Sequence, residues 1–417
     1  MGTPQTPANY GLQRSIWPQS KVFEHAIQSS ELMKVLTKDR TFFEQYRYMD
    51  EGLDAGDGVG PSFAVAKANK GPDLSAEFKY APLTYYGIFS ISGQLMRRAK
   101  GNAAVLAQPY ARRSQKKIQQ VQRDFSRYLF GSGGGAFGQI SSVTNANTNV
   151  ATNTVMLTNV DDVRFFNKGQ YYTTSTTDGT SGSIKSGRVK LAKVIKSGAY
   201  KGTLVCEEAA WTTGIPTAAA SDYVFREGVF GNVWHGLSGH FPSTDPTATL
   251  FLNVDRSTNP DELAGLRVVA TNKTPINAMF QAAIEVSNMY GQGDLYVCSS
   301  TDWDNLRKDL SNVTIIQQPA QGYNGKVMAG MTYTAISVMG PKGKIEVICD
   351  ADCPTGRSYL LTRETIKIAS MGELLSLTSS PREEDQADAW ESRFVSDSEV
   401  IVDGHGRNAT VQLTVGA

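Results

Sequence analysis

The spacing of apolar side chains predicts a long helix over residues 102–130. Within it Ile118, Val121 and Phe125 recur on one side at about 100° per residue. A glycine-rich run at 131–135 follows, and glycine commonly ends helices. This is the clearest helical pattern in the chain.

A second helix is predicted over 275–290. Pro275 suits a first helical position, and Gly291 suits the residue just after a helix end. The apolar run at 294–298 then predicts a strand, and the pattern at 302–310 predicts another helix. Strands and turns are expected to alternate beyond it.

The N-terminal part of the chain is less regular. Residues 1–30 predict an extended arm, followed by short helices at 31–36 and 39–48. Residues 50–80 show no apolar period, so they predict a long loop without a core of its own, which is typically functional or disordered. The segment 80–92 then becomes strongly β-prone.

Short β-prone runs separated by turn residues fill residues 140–230. Several short strands at such spacing predict a small sandwich or barrel, which we interpret as an inserted β domain. Near the C-terminus, Val400 and Val402 lead into Asp403-Gly404, and apolar positions alternate over 411–415. This pattern predicts a hairpin that joins the last two strands.

Composition narrows the classes of protein. The chain has 417 residues with 41 Lys and Arg against 40 Asp and Glu, and only 19% of the residues are charged. This balance excludes a globally basic nucleic-acid binder, and a hydrophobic fraction of 40% excludes an acidic disordered chain. The first residues show no secretory signal, and no run approaches about 18 apolar residues, so no membrane span is expected.

Nucleophile-elbow, zinc-protease and phosphate-loop motifs are missing from the sequence. Cys349 and Cys353 form a C-x3-C pair without a second pair or a nearby histidine, so small buried thiols are favoured over a zinc site. His235, Ser238 and His240 lie close together, with Asp245 nearby, but their spacing orients no catalytic triad.

The remaining histidines, His25 and His405, are interpreted as ordinary surface or interface residues. An acidic run lacks calcium-loop spacing and favours a solvated loop or an interface charge patch over acid–base catalysis. The run consists of Glu383, Glu384, Asp385, Asp388 and Glu391. No enzyme, cofactor or metal site is predicted.

One helix concentrates positive charge. Arg112, Lys116, Arg123 and Arg127 fall within an arc of about 60° opposite the apolar side of the helix at 102–130. We call these four residues the basic strip. The strip is a solvated face, pairs with a neighbouring subunit, or faces a polyanion without reading its sequence.

The order of motifs resembles the major capsid proteins of tailed bacteriophages. A charged glycine-rich loop returns through YYGIFSISGQLMRRA into the long helix ending in FGSGGG, and GLSGHFPSTDP and DLYVCSSTDWDNLRKDL follow. The resemblance covers residues from about 30 to 417. It implies an α+β, Hong Kong 97-like capsid fold with an N-terminal arm, an extended β-hairpin loop, peripheral and axial domains, and a small all-β insertion.

The resemblance implies these domain bounds along the chain. The arm takes 1–38, the extended loop 39–100, the peripheral domain 101–139 with the spine helix, the inserted β domain 140–230, the continued peripheral domain 231–292, the axial domain 293–392, and the peripheral C-terminal strands 393–417.

The resemblance also implies which charges meet neighbouring subunits. The basic strip is expected to face packaged DNA or a neighbouring arm. The extended loop is expected to carry inter-subunit charges at Glu51, Asp54, Asp57, Lys67, Lys70 and Lys79. Covalent cross-linking through the lysines and asparagines of this loop is not expected.

The implied function is a non-enzymatic major capsid protein that forms hexamers and pentamers of an icosahedral shell around double-stranded DNA. Its implied partners are copies of itself, portal and scaffolding proteins, a decoration or cement protein, and packaged DNA through non-specific contacts. No membrane is implied. A long helical prosegment is missing, which implies a separate scaffolding protein or a processed chain. The implied location is the virion, with assembly in the host bacterial cytoplasm.

Two other classes stay open at the level of sequence. One is a secreted surface-layer or adhesin-like β protein, against which the missing secretion signal counts. The other is a carbohydrate-active enzyme that uses carboxylates such as Glu383 or Asp388.

Overall fold

The computed structural model describes residues 30–42, 46–53, 58–71, 74–94, 103–143, 153–271, 273–311, 336–377, 382–383 and 388–413. The chain forms two compact units. One combines Met1–Arg127 with His240–Ala417, and the other is Tyr128–Gly239.

Helices are interspersed among strands along the chain. Up to residue 130 they are α1 (Glu31–Val35), β1 (Thr37–Asp39), β2 (Arg47–Leu53), α2 (Phe63–Ala68), β3 (Leu74–Tyr80), β4 (Leu83–Ser92) and α3 (Ala103–Phe130). From 131 to 240 they are β5 (Gly138–Ser142), β6 (Thr154–Leu157), a 3-10 helix (Val160–Phe165), β7 (Tyr171–Ser175), β8 (Val189–Ile195), β9 (Thr203–Cys206), α4 (Trp211–Gly214), β10 (Tyr223–Arg226) and α5 (Leu237–His240).

The rest of the chain continues this order. Its elements are β11 (Leu250–Phe251), β12 (Val254–Asp255), α6 (Pro260–Ala264), β13 (Leu266–Val269), α7 (Pro275–Asn288), β14 (Leu295–Cys298), α8 (Ser300–Ser311), β15 (Ile336–Gly340), β16 (Gly343–Cys349), β17 (Arg357–Leu361), a 3-10 helix (Arg363–Thr365), β18 (Ile366–Ser370), β19 (Ser376–Leu377), β20 (Arg382–Glu383), β21 (Ala389–Val402), a 3-10 helix (His405–Arg407) and β22 (Ala409–Gln412). The helices predicted at 102–130, 275–290 and 302–310 are confirmed as α3, α7 and α8.

The unit Tyr128–Gly239 is a closed barrel whose six strands follow the order β10-β5-β6-β9-β8-β7. Its interior holds the rings of Phe137, Phe166 and Tyr172, whose centroids lie 5.1–6.2 Å apart. Lys185 pairs with Asp222 at 2.6 Å, with little of either side chain exposed. A closed barrel leaves no unpaired sheet edge, so its strands satisfy one another's main-chain hydrogen-bonding groups.

The other unit contains a six-stranded sheet in the order β13-β22-β17-β14-β16-β15. Helix α7 packs on it through Met279 and Val286, and α8 contributes Leu306, all buried in one core with Tyr296 and Val411. This sheet contains strands from both the predicted peripheral ranges and the predicted axial range. Main-chain hydrogen bonds therefore join the two predicted parts into one element.

A second sheet in this unit is organised around the long strand β21. It follows the order β1-β18-β21-β19, and β4 and β20 also pair with β21. Strand β4 pairs with β21 over ten residues, from Leu83↔Ser398 to Ser92↔Ala389. Strand β21 runs without interruption through the boundary predicted between residues 392 and 393.

The hairpin predicted at the C-terminus is wrong. Strand β21 pairs with β18 and β4, whereas β22 pairs with β13 and β17 in the other sheet. The connecting turn contains the left-handed Gly404 and a short 3-10 helix, and Asn408 accepts a hydrogen bond from Thr362 N at 2.8 Å. The chain bends at Asp403-Gly404, and the bend leads it from one sheet to the next.

The helix predicted over 39–48 is also wrong, because Asp39 ends β1 and Arg47 begins β2. The helix predicted at 31–36 is confirmed as α1, which Ser30 caps by accepting a hydrogen bond from Met33 N. The Ser30 hydroxyl also donates to buried Asp350 at 2.6 Å. The arm is predicted to extend to residue 38, but residues 30–38 already belong to the folded part of the chain, in α1 and β1.

Candidate functional site

Strands β2 and β3 form a two-stranded antiparallel ribbon of seven residue pairs, from Arg47↔Tyr80 to Leu53↔Leu74. In the described residues these two strands pair only with each other. One end of the ribbon is anchored, because Phe78 and Tyr80 are fully buried in a core with Ile401. The Tyr80 hydroxyl accepts a hydrogen bond from Val402 N and donates to Val402 O.

A pair of buried histidines lies beneath the anchored end. The ring of His405 stacks on Phe78, with centroids 4.5 Å apart, and its Nε2 lies 3.0 Å from Nδ1 of His240. Both histidines are completely buried, so the interpretation of His405 as a surface or interface residue is wrong. Ser238 donates its hydroxyl hydrogen bond to Phe130 O at 2.7 Å. These contacts give both His240 and Ser238 structural partners.

An ion pair lies at the start of the ribbon, where the chain leaves β1 and enters β2. Asp39 at the end of β1 accepts hydrogen bonds from Thr41 N at 2.9 Å and from the Arg47 guanidinium at 2.6 Å. Hydrogen bonds from Thr41 and then from Arg47 lower the pKa of Asp39 to about 2. The carboxylate therefore stays ionised at neutral pH and joins β1 to the first residue of β2.

The opposite end of the ribbon carries helix α2. Ser62 caps this helix by accepting a hydrogen bond from Val65 N, and the helix buries none of its residues. Phe63 is 84% exposed and Val59 is 70% exposed, while Val65, Lys67 and Lys70 are exposed as well. We call residues 58–71 the tip. It is an ordered segment that presents an aromatic side chain to solvent.

A second exposed apolar surface lies on the sheet around β21. Along β4, Tyr85, Gly87, Phe89 and Ile91 turn inward, where the Tyr85 and Phe125 rings lie 5.4 Å apart. The alternate positions turn outward. Tyr86 is 59% exposed and Ile88 is 46% exposed, and Tyr86 lies opposite half-buried Val395 of β21. We call Tyr86, Ile88 and Val395 the β4 face.

Charged groups border the β4 face on β21. Asp397 lies opposite Thr84 and accepts a hydrogen bond from its hydroxyl. Arg393 lies opposite Ile88 and pairs with Glu391. Asp388, just before β21, is exposed but lies beyond the end of β4 and not beside Tyr86 or Ile88; its carbonyl accepts a hydrogen bond from Gly93 N at 2.7 Å.

The charges predicted on the extended loop have different surroundings. Lys67 and Lys70 are exposed on the tip. Lys79 is half-buried, and its Nζ lies 3.8 Å from the centroid of the Tyr46 ring. Glu51 lies on β2 opposite Ala76. Asp54 and Asp57 lie outside the described residues. Among the described side chains of these six residues, those of Lys67 and Lys70 are exposed at the surface.

The basic strip follows helix α3. Lys116 and Arg123 are exposed and Arg127 is half-buried, whereas Ile118, Val121 and Phe125 are buried. Arg112 lies on the same helix, but its side chain is outside the described residues. The described positions thus separate into a buried apolar side and a polar side, as the helical spacing predicts.

In the parts of the chain that the structure describes, no group of three or more His, Cys, Asp or Glu side chains is arranged to hold a metal ion. Cys349 ends β16 and is half-buried, and Cys353 follows the strand and is buried. Burial raises the pKa of both thiols. Of the acidic run, Glu384 and Asp385 lie outside the described residues, and Glu383 lies on β20. No described helix is long and apolar enough to cross a membrane.

No family model matches the chain, and no curated protein sequence matches it significantly. Solved structures do show similarity. A chain of the cyanophage A-1(L) capsid is 12% identical, with a TM-score of 0.46 over 91% of this chain and 92% of that one. The capsid of an empty GTA particle gives 9% identity and a TM-score of 0.43, covering 93% and 90%. The SrpI encapsulin of Synechococcus elongatus PCC 7942 gives 8% and 0.41, covering 99% and 90%.

These neighbours are capsid or encapsulin shells, the class of protein that the sequence resembles.

Proposed function

We propose that the chain is the major capsid protein of a tailed bacteriophage, a non-enzymatic subunit that assembles into hexamers and pentamers of a closed icosahedral shell around double-stranded DNA. The observation that carries this proposal is the ribbon β2–β3 with its exposed tip. An ordered segment that holds Phe63 in solvent has a shape suited to contact with another molecule.

The properties of helix α2 in the tip indicate that it is stabilised by contact with another molecule. Helix α2 has only six residues and buries none of them, and isolated helices of this length are unstable in water. A contact that covers its apolar residues would therefore stabilise the helix. The near-zero net charge lets identical chains approach without strong repulsion. Both features suit a subunit whose partners are copies of itself.

The basic strip suits a second kind of contact. We place Lys116 and Arg123 towards packaged DNA or towards the arm of a neighbouring subunit, through charge and without reading a sequence. The proposed partners further include portal and scaffolding proteins and a decoration or cement protein. Assembly is proposed in the host bacterial cytoplasm, and the assembled chain belongs to the virion.

Sedimentation and electron microscopy of the expressed chain test the assembly step. We expect capsomer rings or closed shells, formed by the chain alone or with a co-expressed scaffolding protein. A protein that sediments as a 45.2 kDa monomer under both conditions would contradict the proposal. Detection of a saturable sugar-hydrolysing activity in such a monomer would favour the carbohydrate-active alternative.

Charge reversal tests the basic strip. The double variant Lys116→Glu and Arg123→Glu is expected to form shells that retain less DNA, because two phosphate-attracting charges are replaced by repelling ones. The matched control is Lys193→Glu, which reverses an exposed lysine on β8 of the barrel. DNA retention is measured by nuclease protection in purified particles. Equal protection in the double variant, the control and the parent would remove the strip from the proposal.

A further inference from the structure

Three of the four cysteines lie close together in the unit that combines Met1–Arg127 with His240–Ala417. Cys298 ends β14, Cys349 ends β16, and Cys353 follows four residues later. We propose that Cys298 and Cys349 form a modification site, at which a peroxide converts the two thiols into a disulfide that joins β14 to β16. This chemistry is independent of the proposed function. Only its timing, after the shell leaves the reducing host cytoplasm, rests on that function.

Cys298 and Cys349 are directly paired in the six-stranded sheet. Strands β14 and β16 run parallel over four residue pairs, from Leu295↔Glu346 to Cys298↔Cys349. Adjacent strands lie about 4.8 Å apart, within the range of about 4.4–6.8 Å that separates the Cα atoms of disulfide-bonded cysteines. The two strands therefore need no large movement to bring the sulfur atoms together.

The two cysteine side chains lie on the same face of the sheet. Tyr296 and Val347 form the pair two positions earlier, and both belong to the core that also holds Cys298. Because side chains alternate between the faces of a strand, Cys349 turns to the same face as Val347. Burial, and then the neighbouring Cys349, raise the pKa of Cys298, which also indicates that the two sulfur atoms are close.

The two thiols differ in exposure. Cys349 is half-buried, and its Sγ lies 3.6 Å from Ser300 Oγ. Cys298 is 1% exposed, and its Sγ lies 3.8 Å from Ile348 O. A small peroxide can reach Cys349, whereas Cys298 is shielded from solvent. Cys349 is therefore the thiol that is oxidised first, and Cys298 reacts second.

The reaction balances in two steps. In the first, the Cys349 sulfur attacks a peroxide oxygen, an S–O bond forms and the O–O bond breaks. The departing hydroxide takes the thiol proton and leaves as water, so the Cys349 sulfur becomes a sulfenic acid. In the second step, the Cys298 sulfur attacks the Cys349 sulfur, an S–S bond forms, and the S–O bond breaks with release of water. The peroxide gains two electrons, and the two thiols together lose two.

A carboxylate lies beside the attacking thiol. Burial, then Cys349 and then Asp302 raise the pKa of Cys298, and Asp302 is itself 1% exposed. Its Oδ2 accepts hydrogen bonds from Ser299 Oγ at 2.7 Å and from Gly356 N at 2.9 Å. Its Oδ1 is buried and has no hydrogen-bond partner among the described residues. Asp302 can therefore take the Cys298 proton in the second step and pass it to the departing hydroxide.

The pKa of Cys349 determines when the disulfide forms. Burial raises this pKa, so little thiolate is present at neutral pH and the first step is slow. The chain therefore folds and assembles with both thiols reduced. The disulfide then forms during longer exposure to an oxidant.

The disulfide strengthens one edge of the sheet. Strand β15 is the last in the order β14-β16-β15, and β16 joins this hairpin to the sheet through its four pairs with β14. The bond between Cys298 and Cys349 closes a loop of about 50 residues, which removes conformational freedom from the unfolded chain. We expect the oxidised chain to unfold about 5 °C or more above the reduced chain.

Peptide mapping of the folded chain tests the site. Reduced protein is treated with hydrogen peroxide, its remaining thiols are alkylated, and the digest is analysed by mass spectrometry without reduction. We expect a linked pair of peptides that contain residues 298 and 349, with Cys206 and Cys353 alkylated. Cys349→Ser is expected to abolish the link. The matched control Cys353→Ser removes the other neighbouring thiol and is expected to retain it.

Two further measurements test the proton acceptor and the effect on stability. Asp302→Asn keeps an oxygen for Ser299 and Gly356 but has no charge, so we expect the disulfide to close about tenfold more slowly or less, with the sulfenic acid accumulating at Cys349. An unchanged rate would remove Asp302 from the reaction. Thermal unfolding should separate the oxidised from the reduced parent, whereas Cys349→Ser should unfold at one temperature under both conditions.

The other outcomes of the mapping overturn the inference. Four reduced thiols after peroxide treatment, a link between Cys298 and Cys353, or a sulfinic acid at Cys349 without a link would each do so. The mapping is carried out on assembled shells and on unassembled chains, so its failure in intact shells leaves the capsid function standing. A chain that stays monomeric and still forms the 298–349 link would overturn the capsid function and leave the disulfide in place.

Discussion

The barrel unit and the ribbon use similar residues in opposite ways. In the barrel, basic residues on and around β8 have acidic partners in the same unit, as in Arg188 with Glu227 and Lys190 with Glu207. Its aromatic residues pack on one another in the interior. On the tip, Lys67, Lys70 and Phe63 are exposed. A charged or aromatic residue in the sequence therefore does not reveal whether its partner lies in the same chain.

The difference between the two regions has a physical basis in the number of strands. A closed six-stranded barrel encloses side chains and provides neighbours on both sides of each strand. A two-stranded ribbon has no interior, and such ribbons are at most marginally stable alone. The ribbon is ordered by its anchor, and its tip remains available to a partner.

The largest expected effect is in the barrel interior. We expect Phe166→Ala to lower the free energy of unfolding by about 3–5 kcal/mol, because it removes a fully buried ring that contacts Phe137 and Tyr172. Urea denaturation followed by tryptophan fluorescence measures the change, with exposed Ile184→Ala as the control. A loss below about 1 kcal/mol would mean that the barrel does not depend on its aromatic interior.

A smaller effect is expected when the inner ion pair of the barrel is broken. Asp222→Ala leaves the Lys185 ammonium in a largely buried position, so we expect a loss of about 3 kcal/mol in the free energy of unfolding. The matched control is Glu227→Ala, which breaks the exposed pair with Arg188 and should cost less than about 1 kcal/mol. Equal losses from the two changes would show that burial does not distinguish these pairs.

The contribution of Asp39, at the start of the ribbon, to the free energy of unfolding should depend on pH. The pKa of Asp39 is lowered to about 2 from a usual value of 3.8, so its ionised form stabilises the folded state above pH 4, and this contribution is lost as the pH falls towards 2. The parent should exceed Asp39→Asn in the free energy of unfolding by about 1 kcal/mol at pH 6, because the Asp39–Arg47 pair is partly screened by solvent, with 19% and 30% of the two side chains exposed. The difference should decrease as the pH falls from 4 towards 2 and disappear below pH 2. A difference that does not vary with pH would assign the effect to shape and not to charge.

The smallest expected effect on folding is at the tip. Phe63→Ala should change the free energy of unfolding of the unassembled chain by no more than about 0.5 kcal/mol, because the ring is 84% exposed. Denaturation at a concentration below assembly measures this. A large loss would show that Phe63 packs within its own chain, which would remove the contrast between the ribbon and the barrel.

Local patterns predict the elements that are long or strongly periodic. Helix α3 matches its prediction because a buried side with Ile118 and Phe125 repeats over many turns. The apolar side chains Phe42, Phe43 and Tyr46 predict a helix around 39–48. Residues 37–39 instead pair with β18, 330 positions away in the chain. A strand whose partner is that distant has no local signal that separates it from a short helix.

The buried histidines illustrate the same limit. His240 and His405 are 165 positions apart in the sequence, and nothing in either neighbourhood predicts that Nδ1 of His240 and Nε2 of His405 lie 3.0 Å apart. The sequence carries one relevant signal, the aromatic residue Phe78, because large aromatic residues are commonly buried. In the structure Phe78 is fully buried and stacks on His405. It could have marked the loop segment as anchored, but it could not have identified the partner.

Residue spacing and composition predict the long helices, the β-rich middle segment, the balanced charge and the order of motifs that resembles phage capsid proteins. These features depend on spacing and composition along the chain, which local physics can interpret. Local patterns do not predict that β21 and β22 belong to different sheets, that the anchored end of the ribbon is buried, or that Phe63 and Ile88 are exposed. Pairing and burial depend on contacts between distant residues, and those contacts exist only once the chain has folded.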